Sequence, residues 1–249
     1  MEVITISYIL KANESISFNK INFSDVTPEF KNISMESLSD ENSYHITILK
    51  NINSTHPKDL EPIFVEATQE IERFKYVFSM AADIVIYDID LAGYYYKNNF
   101  VSKNEISLPN MGINFNMKAK MEIAWTERSV DRVKNAMRGK YNIENLQAYY
   151  DSASIIEPIG RFISLYTLLL SRYGDSQKKV DMIILSVDPT IAQFRSPHSK
   201  NNYETVFTKL RNELSHKRKG INILQTRYDI KFNLERFQRI VKKLIIDNG

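Results

Sequence analysis

Two residues in one short stretch of this sequence have the types and the spacing for acid–base and phosphate chemistry. Arg211 and His216 enclose the segment RNELSH, with four residues between them, and Asn212 directly follows the arginine. Histidine accepts and donates protons near neutral pH. Arginine presents a fixed fork of donors and keeps its positive charge, which suits a phosphate that gains negative charge. The pair therefore predicts proton transfer and charge stabilisation at a phosphate, without a metal ion.

Residues 203–218 are predicted to form the helix that carries this pair, since the segment has no Gly or Pro and its centre consists of good helix formers. At about 100° per residue, one side is apolar and consists of Tyr203, Val206, Phe207, Leu210 and Leu214. The other side is polar and consists of Glu204, Thr208, Arg211, Asn212, Ser215 and His216. On an ideal helix Arg211 and His216 lie about 140° apart. One helix can hardly bring both to one phosphate, whereas two copies facing each other across a symmetry axis can.

RNELSH resembles the R-x(4–6)-H motif of the HEPN superfamily, a group of small helical bundles that includes many metal-independent ribonucleases. The asparagine after the arginine matches the commonest form of that motif. The surroundings are also similar: FISLYTLLLSRYG, a short connection, SQKKVDMIILSVD, a loop, the motif helix and a final helix. This order looks most like the Apea-like branch found in bacterial antiphage defence. The resemblance covers residues 143–249.

The resemblance implies an RNA endonuclease, a hydrolase in which His216 is the general acid and base. Arg211 would stabilise the transition state, and Asn212 would position groups by hydrogen bonding. The 2′-hydroxyl of RNA would be the nucleophile, so that products end in 2′,3′-cyclic phosphate and 5′-hydroxyl. The further residues expected to line the cleft or bind RNA are Glu204, Thr208, Ser215, Lys217 and Arg218. No metal or other cofactor is expected.

The resemblance also implies a homodimer through the C-terminal bundle, with a site composed of residues from both copies. The implied biology is antiviral defence by abortive infection or a toxin-like arrest of translation, with tRNA among the candidate substrates. The alternative is a non-catalytic HEPN-type module for dimerisation or for binding nucleotides or RNA. The intact Arg–His pair favours the enzyme, because a scaffold has no need of it.

The sequence predicts an α+β protein. Residues 1–127 are expected to form a mixed, mostly antiparallel β domain with one long helix. On the nuclease hypothesis, this domain would sense a trigger or restrain the enzyme. Residues 128–142 are expected to be a linker, and residues 143–249 an all-α, HEPN-like bundle. The expected strands are residues 3–10, 15–23, 44–49, 84–91, 94–101 and 110–126, and the expected helices are residues 63–82, 143–156, 158–173, 176–188, 203–218 and 228–246. The expected breaks are loops at 24–42 and 189–202, a turn framed by Pro57 and Pro62, and a strand end at Gly93.

Composition and charge limit the class of protein. The 249 residues include no cysteine, which excludes disulfides, zinc–thiolate sites and thiol catalysis. The first residues lack the features of a signal peptide, and the longest apolar run is far short of the ~20 residues of a membrane span, so we expect a cytoplasmic protein without membrane contact. From Lys200 onward there are twelve basic and five acidic residues, a net +7 against −4 for the remainder. This asymmetry suits a phosphate-bearing partner or, equally, a solvated helix face.

Other polar residues are weaker candidates. Asp88 and Asp90 form a D-x-D pattern on a predicted strand, so both carboxylates point to one face and could hold a divalent metal. The solvent face of a strand is the simpler interpretation. His45 and His56 lack the companions of a zinc site. His198 is expected to be a loop histidine, with a secondary substrate contact as the alternative.

Overall fold

The computed structural model describes residues 2–38, 42–97, 99–102, 122–196, 203–215 and 222–246. The chain divides into two compact units, residues 1–143 and 144–249. The first is built on an antiparallel sheet and the second mainly on helices, so the predicted α+β class is confirmed.

The first unit is organised around its N-terminal strand. Its strands are β1 Glu2–Ala12, β2 Ser15–Ser17, β3 Ile21–Asn22, β4 Ile33–Ser37, β5 Ser43–Ile52, β6 Ile86–Tyr96, β7 Asn99–Ser102 and β8 Glu122–Ala124. Six of them form an antiparallel sheet in the order β3-β4-β5-β1-β6-β7, while β2 and β8 pair in parallel. Ile6 of β1 lies opposite Ile48 of β5 and Tyr94 of β6. Because side chains alternate along a strand, Ile4, Ile6, Tyr8 and Leu10 share one face, and all four are buried.

Helix α1, Pro57–Ala82, packs on that buried face. His56 caps its first turn, since the ring Nδ1 accepts a hydrogen bond from the Lys58 N–H at 3.3 Å. The turn expected at Pro57 and Pro62 is wrong, because both prolines lie within α1. Pro57 occupies the first turn, where its missing N–H has no helical partner to lose, and Pro62 removes a single backbone bond. The helix contributes Phe64, Ala67, Ile71, Phe74 and Phe78 to the core.

Three strand expectations also differ from the structure. The predicted loop 24–42 contains β4, and the predicted strand 15–23 is divided into β2 and β3. β6 does not end at Gly93 but continues through it, with a register shift against β1 at that point. Gly93 has φ +153°, and a Cβ there would lie 2.2 Å from the Val101 carbonyl oxygen, so only glycine fits. Of the predicted strand 110–126, residues 110–121 lie outside the described residues.

Residues 128–142, expected to be a linker, are mostly helical in the structure. Helix α2, Glu127–Met137, belongs to the first unit and packs against α1. Val133 and Met137 are buried, and the Lys134 ammonium lies 2.8 Å from an Asp25 carboxylate oxygen. The periodic burial explains why a charged stretch forms a packed helix here.

The second unit contains five helices and one hairpin among its described residues. They are α3 Ile143–Ala153, α4 Pro158–Arg172, α5 Gln177–Val187, β9 Gln193–Arg195, β10 Tyr203–Thr205, α6 Val206–Ser215 and α7 Ile223–Ile246. The predicted helices 158–173 and 176–188 match α4 and α5 to within one residue at each end. Aromatic rings from three helices form the centre of the core, where Phe237 of α7 contacts Phe162, Tyr166 and Phe207.

The predicted start of the motif helix at Tyr203 is wrong. Tyr203 pairs with Arg195 in the antiparallel hairpin β9–β10, and α6 begins only at Val206. The hairpin also replaces part of the predicted loop 189–202. Among the described residues, no helix has both the length and the hydropathy that crossing a membrane requires.

Candidate functional site

The first turn of α6 is held in place by a buried carboxylate on α5. Asp181 is 7% exposed. Its Oδ1 accepts hydrogen bonds from the Thr205 N–H at 3.0 Å, the Thr205 hydroxyl at 2.6 Å and the Thr208 hydroxyl at 2.6 Å. Helix N-termini expose N–H groups without helical partners. Asp181 therefore gives the start of α6 an acceptor from a neighbouring helix and fixes the helix to α5.

A tyrosine on α4 extends this cluster. The Tyr166 hydroxyl lies 2.7 Å from the Thr208 hydroxyl oxygen. Burial raises the pKa of Tyr166, so its hydroxyl stays protonated. Since Thr208 donates to Asp181, the Tyr166 hydroxyl donates to Thr208. The start of the motif helix is thus bonded to both α4 and α5.

Asn212, the residue after the motif arginine, is 4% exposed and uses its whole amide in hydrogen bonds. Its Nδ2 donates to Glu204 Oε2 at 3.1 Å and to Gln177 Oε1 at 3.3 Å. Its Oδ1 accepts from Gln177 Nε2 at 3.0 Å and from Arg211 Nη1 at 3.2 Å. A side-chain amide has two donor hydrogens and two acceptor lone pairs, so Asn212 has none left for a ligand. Its place in the site is to position Arg211.

Arg211 is half-buried at the edge of this network. Its guanidinium donates to Asn212 and, within the described part of the chain, forms no ion pair with a carboxylate. Of the five guanidinium N–H groups, one is accounted for by that bond. The charge is therefore oriented by a neutral amide, which leaves it able to bind an anion.

The rest of α6 is tied to its neighbours by Lys209 and Glu213. Their side chains form an ion pair at 3.2 Å one helical turn apart. The Lys209 ammonium also lies 4.6 Å from the centre of the Phe194 ring in β9, and Glu213 accepts a 2.8 Å hydrogen bond from Thr226 of α7. The arginine is thus carried by a short helix whose position is set from four neighbouring elements.

The predicted polar side of the motif helix does not form an open cleft within one protomer. Glu204 and Thr208, expected to contact RNA, are buried and serve the internal network instead. Arg211 is half-buried, and Ser215, the last residue of α6, is exposed. His216, Lys217 and Arg218 lie outside the described residues.

The D-x-D pair lies on β6, opposite β1. Asp88 forms a 3.1 Å ion pair with Lys11, its partner in the strand register. In the described ranges, no three His, Cys, Asp or Glu side chains are grouped so as to hold a metal ion. The ion pair with Lys11 accounts for the negative charge of the Asp88 side chain at this position, and no bound metal is needed to explain it.

A chain of hydrogen bonds on the same sheet joins residues that the sequence did not single out together. The Ser7 hydroxyl lies 2.5 Å from His45 Nε2, and His45 Nδ1 lies 2.8 Å from Glu36 Oε1. This is the atom order of a hydrolytic triad. Ser7, however, is 2% exposed in a strand paired on both sides, where the ladder uses the N–H groups that an oxyanion would need. We assign the chain a structural role between β1, β5 and β4. His198 lies outside the described residues.

Comparisons with protein-family models, with curated proteins and with solved structures find no match to this chain.

Proposed function

We propose that this chain is a metal-independent RNA endonuclease of the HEPN type. The observation that carries the proposal is the arrangement of Arg211. Its side chain is oriented by an amide that is itself anchored to Glu204 and Gln177, and no described carboxylate forms an ion pair with it. Holding a cation in a fixed position suits stabilisation of charge that appears only in a transition state. An arginine that served only the fold would more simply be paired with an acidic residue.

In the proposed reaction, His216 removes the proton from a ribose 2′-hydroxyl, which attacks the adjacent phosphate. Arg211 stabilises the five-coordinate phosphate by donating to its non-bridging oxygens. The bond to the 5′-oxygen then breaks, and that oxygen takes a proton from an imidazolium. The products are a 2′,3′-cyclic phosphate and a 5′-hydroxyl. Because Arg211 and His216 would lie about 140° apart on an ideal helix, a homodimer with Arg211 and His216 from both copies around one phosphate is part of the proposal.

The wider setting is proposed from the same motif. The first unit would bind a trigger or regulator, and the enzyme would work in the cytoplasm in antiphage defence or as a toxin that arrests translation. The basic C-terminal quarter supports a nucleic-acid substrate.

The test is cleavage of RNA, tRNA included, by purified protein in excess EDTA. Wild type, Arg211→Ala and His216→Ala are compared with Arg128→Ala, which removes an exposed arginine of the first unit. We expect cleavage by wild type and Arg128→Ala only, with cyclic-phosphate ends on the products. Arg211→Lys keeps the charge but loses the fork, so it is expected to be strongly impaired. Equal cleavage by all variants would place the site elsewhere and refute the assignment.

A second candidate function is a non-catalytic module for dimerisation or for binding nucleotides or RNA. The observation in its favour is that Glu204, Thr208 and Asn212 are buried and hydrogen-bonded within the protein, as a scaffold requires. The two candidates differ in cells. A nuclease makes high expression toxic, and His216→Ala relieves the toxicity, whereas a module is tolerated in both forms.

A further inference from the structure

The first half of α7 carries three large apolar side chains on the side away from the bundle core. Leu224, Tyr228 and Phe232 are 77%, 65% and 79% exposed. They follow one another at intervals of four residues, so they form one stripe with neighbours about 6 Å apart along the axis. The opposite side of the helix is the buried one and contributes Ile230, Leu234, Phe237 and Val241 to the core. A contiguous apolar surface of this kind marks a binding site.

Positively charged side chains flank this α7 stripe. Arg227 and Lys231 are both exposed. They lie close enough to the start of α4 to act on Glu157, whose pKa is held below its usual range first by the Gly160 N–H and further by these two cations. Beyond the stripe, the Arg239 side chain is 73% exposed and lies 4.0 Å from Glu235 on the same helix, so these two charges offset each other. The basic part of the outward side of α7 is therefore the flank of the stripe with Arg227 and Lys231.

We propose that this surface binds single-stranded RNA, an inference that rests on the proposed nuclease function and names the form of its substrate. Tyr228 and Phe232 would stack on unpaired bases, which accept any exposed aromatic face regardless of sequence. Arg227 and Lys231 would contact the phosphates between them. A spacing of one helical turn gives each ring room for a base of its own.

The charges favour RNA over a second copy of this chain as the occupant of the stripe. In a symmetric interface the same surface serves both partners. Two antiparallel α7 helices paired through the stripe would bring the flank with Arg227 and Lys231 against its own copy, and like charges would repel. An anionic strand meets the same cations with attraction.

Fluorescence anisotropy of a fluorescein-labelled, mixed-sequence single-stranded RNA of roughly 12 nucleotides tests the proposal. Every protein is the full chain with Arg211→Ala, in EDTA, so that the probe stays intact. Tyr228→Leu with Phe232→Leu keeps the stripe apolar but removes both rings, and we expect binding to weaken at least about tenfold. Met182→Ala, which changes a 62% exposed apolar residue on α5, is the matched control and is expected to bind as before.

A salt titration tests the cations. Lys231→Gln is expected to make the plot of log K against log salt concentration less steep by about 0.7, where K is the association constant for the RNA. This is the change expected for the loss of one phosphate contact on a single strand. A duplex RNA of equal length is expected to compete poorly, since its bases are stacked on one another.

Unchanged affinity in the double leucine variant would overturn the proposal, and so would failure of every variant and the parent to bind the probe. Analytical ultracentrifugation tests the alternative that a second copy of this chain covers the stripe. If Tyr228→Asp with Phe232→Asp converts a dimer to a monomer while the leucine variant binds RNA normally, the stripe belongs to a second copy. The cleavage assay is independent of these results. If RNA binding depends on the two rings but the wild type cleaves no RNA, the nuclease proposal is refuted and the RNA-binding surface stands. If the wild type cleaves RNA but binding does not depend on the rings, the RNA-binding surface is refuted and the nuclease proposal stands.

Discussion

Replacing Asp181 by alanine is expected to destabilise the second unit by about 3–5 kcal/mol. The carboxylate is the common acceptor for the Thr205 N–H, the Thr205 hydroxyl and the Thr208 hydroxyl. Hydrogen bonds to a charged group contribute about 1.5–3 kcal/mol each. The full sum is not expected, because removing the buried charge also relieves its desolvation cost of several kcal/mol. Asp181→Asn keeps the size and one oxygen acceptor, so we expect a loss of only about 1–2 kcal/mol.

Urea denaturation, followed by tryptophan fluorescence and by far-UV circular dichroism, measures this loss of stability. The first unit serves as the control in the same experiment. The one tryptophan of the chain, Trp125, lies in the first unit with its ring 5.5 Å from that of Phe18. Its fluorescence follows the first unit, while far-UV circular dichroism follows the helices, most of which belong to the second. Asp181→Ala is expected to move the dichroism transition to lower urea and to leave the fluorescence transition in place. A loss below about 1 kcal/mol would refute the reasoning, because the three donors would then have found equal partners without the carboxylate.

Three further predictions concern other parts of the chain. Gly93→Ala places a Cβ 2.2 Å from a backbone oxygen at φ +153°, so we expect a loss of about 2 kcal/mol or more, measured by the fluorescence transition in urea. Asn212→Ala is expected to abolish RNA cleavage nearly as fully as Arg211→Ala while the arginine is still present, and wild-type activity in this variant would contradict the positioning role. The pKa of Asp25 is held below its usual range chiefly by its hydrogen bond from Lys134, so this carboxylate stabilises the fold above its unfolded pKa near 4 and loses that contribution as the pH falls through its folded pKa. Asp25→Asn should therefore reduce the acid sensitivity of the first unit by less than about 1 kcal/mol, since the Asp25 side chain is 53% exposed, and an acid profile identical to wild type would show that the pair has no effect.

Local periodicity predicted the presence of all five described helices of the second unit, but it placed the start of α6 at 203 instead of 206 and the start of α7 at 228 instead of 223. In α4 and α5 a clean apolar repeat begins beside Glu157 and Ser176, whose side chains cap the first turns. The same logic missed β4, because Ile33 and Met35 are its only buried residues in a stretch rich in serine and glutamate. It also placed a turn at Pro62, where the packing of α1 outweighs one lost backbone bond.

The candidate site was predictable in its residues but not in its environment. A helical wheel separates polar from apolar sides, yet it cannot tell a polar side that faces solvent from one that faces polar partners. The partners of Asn212 and Thr208 are Gln177 and Asp181, which lie on α5 roughly thirty positions earlier. Only the packing of α5 against β10 and α6 brings these side chains together. The sequence therefore singled out the arginine and its asparagine as candidates, while the hydrogen bonds that connect them to each other and to α5 required the structure.

The Asp181 cluster also constrains how this protein can diverge. Tyr166, Asp181, Thr205 and Thr208 lie on four different elements, α4, α5, β10 and α6, and are joined by hydrogen bonds. A change at any one of them leaves a buried polar group without its partner. Joint replacement by apolar residues would still leave the Thr205 N–H without the acceptor that Asp181 supplies. In a set of related sequences these four positions are therefore expected to be retained together. Such joint retention at sites far apart in the chain would mark descent with the same motif helix, even where the overall sequence had become unrecognisable.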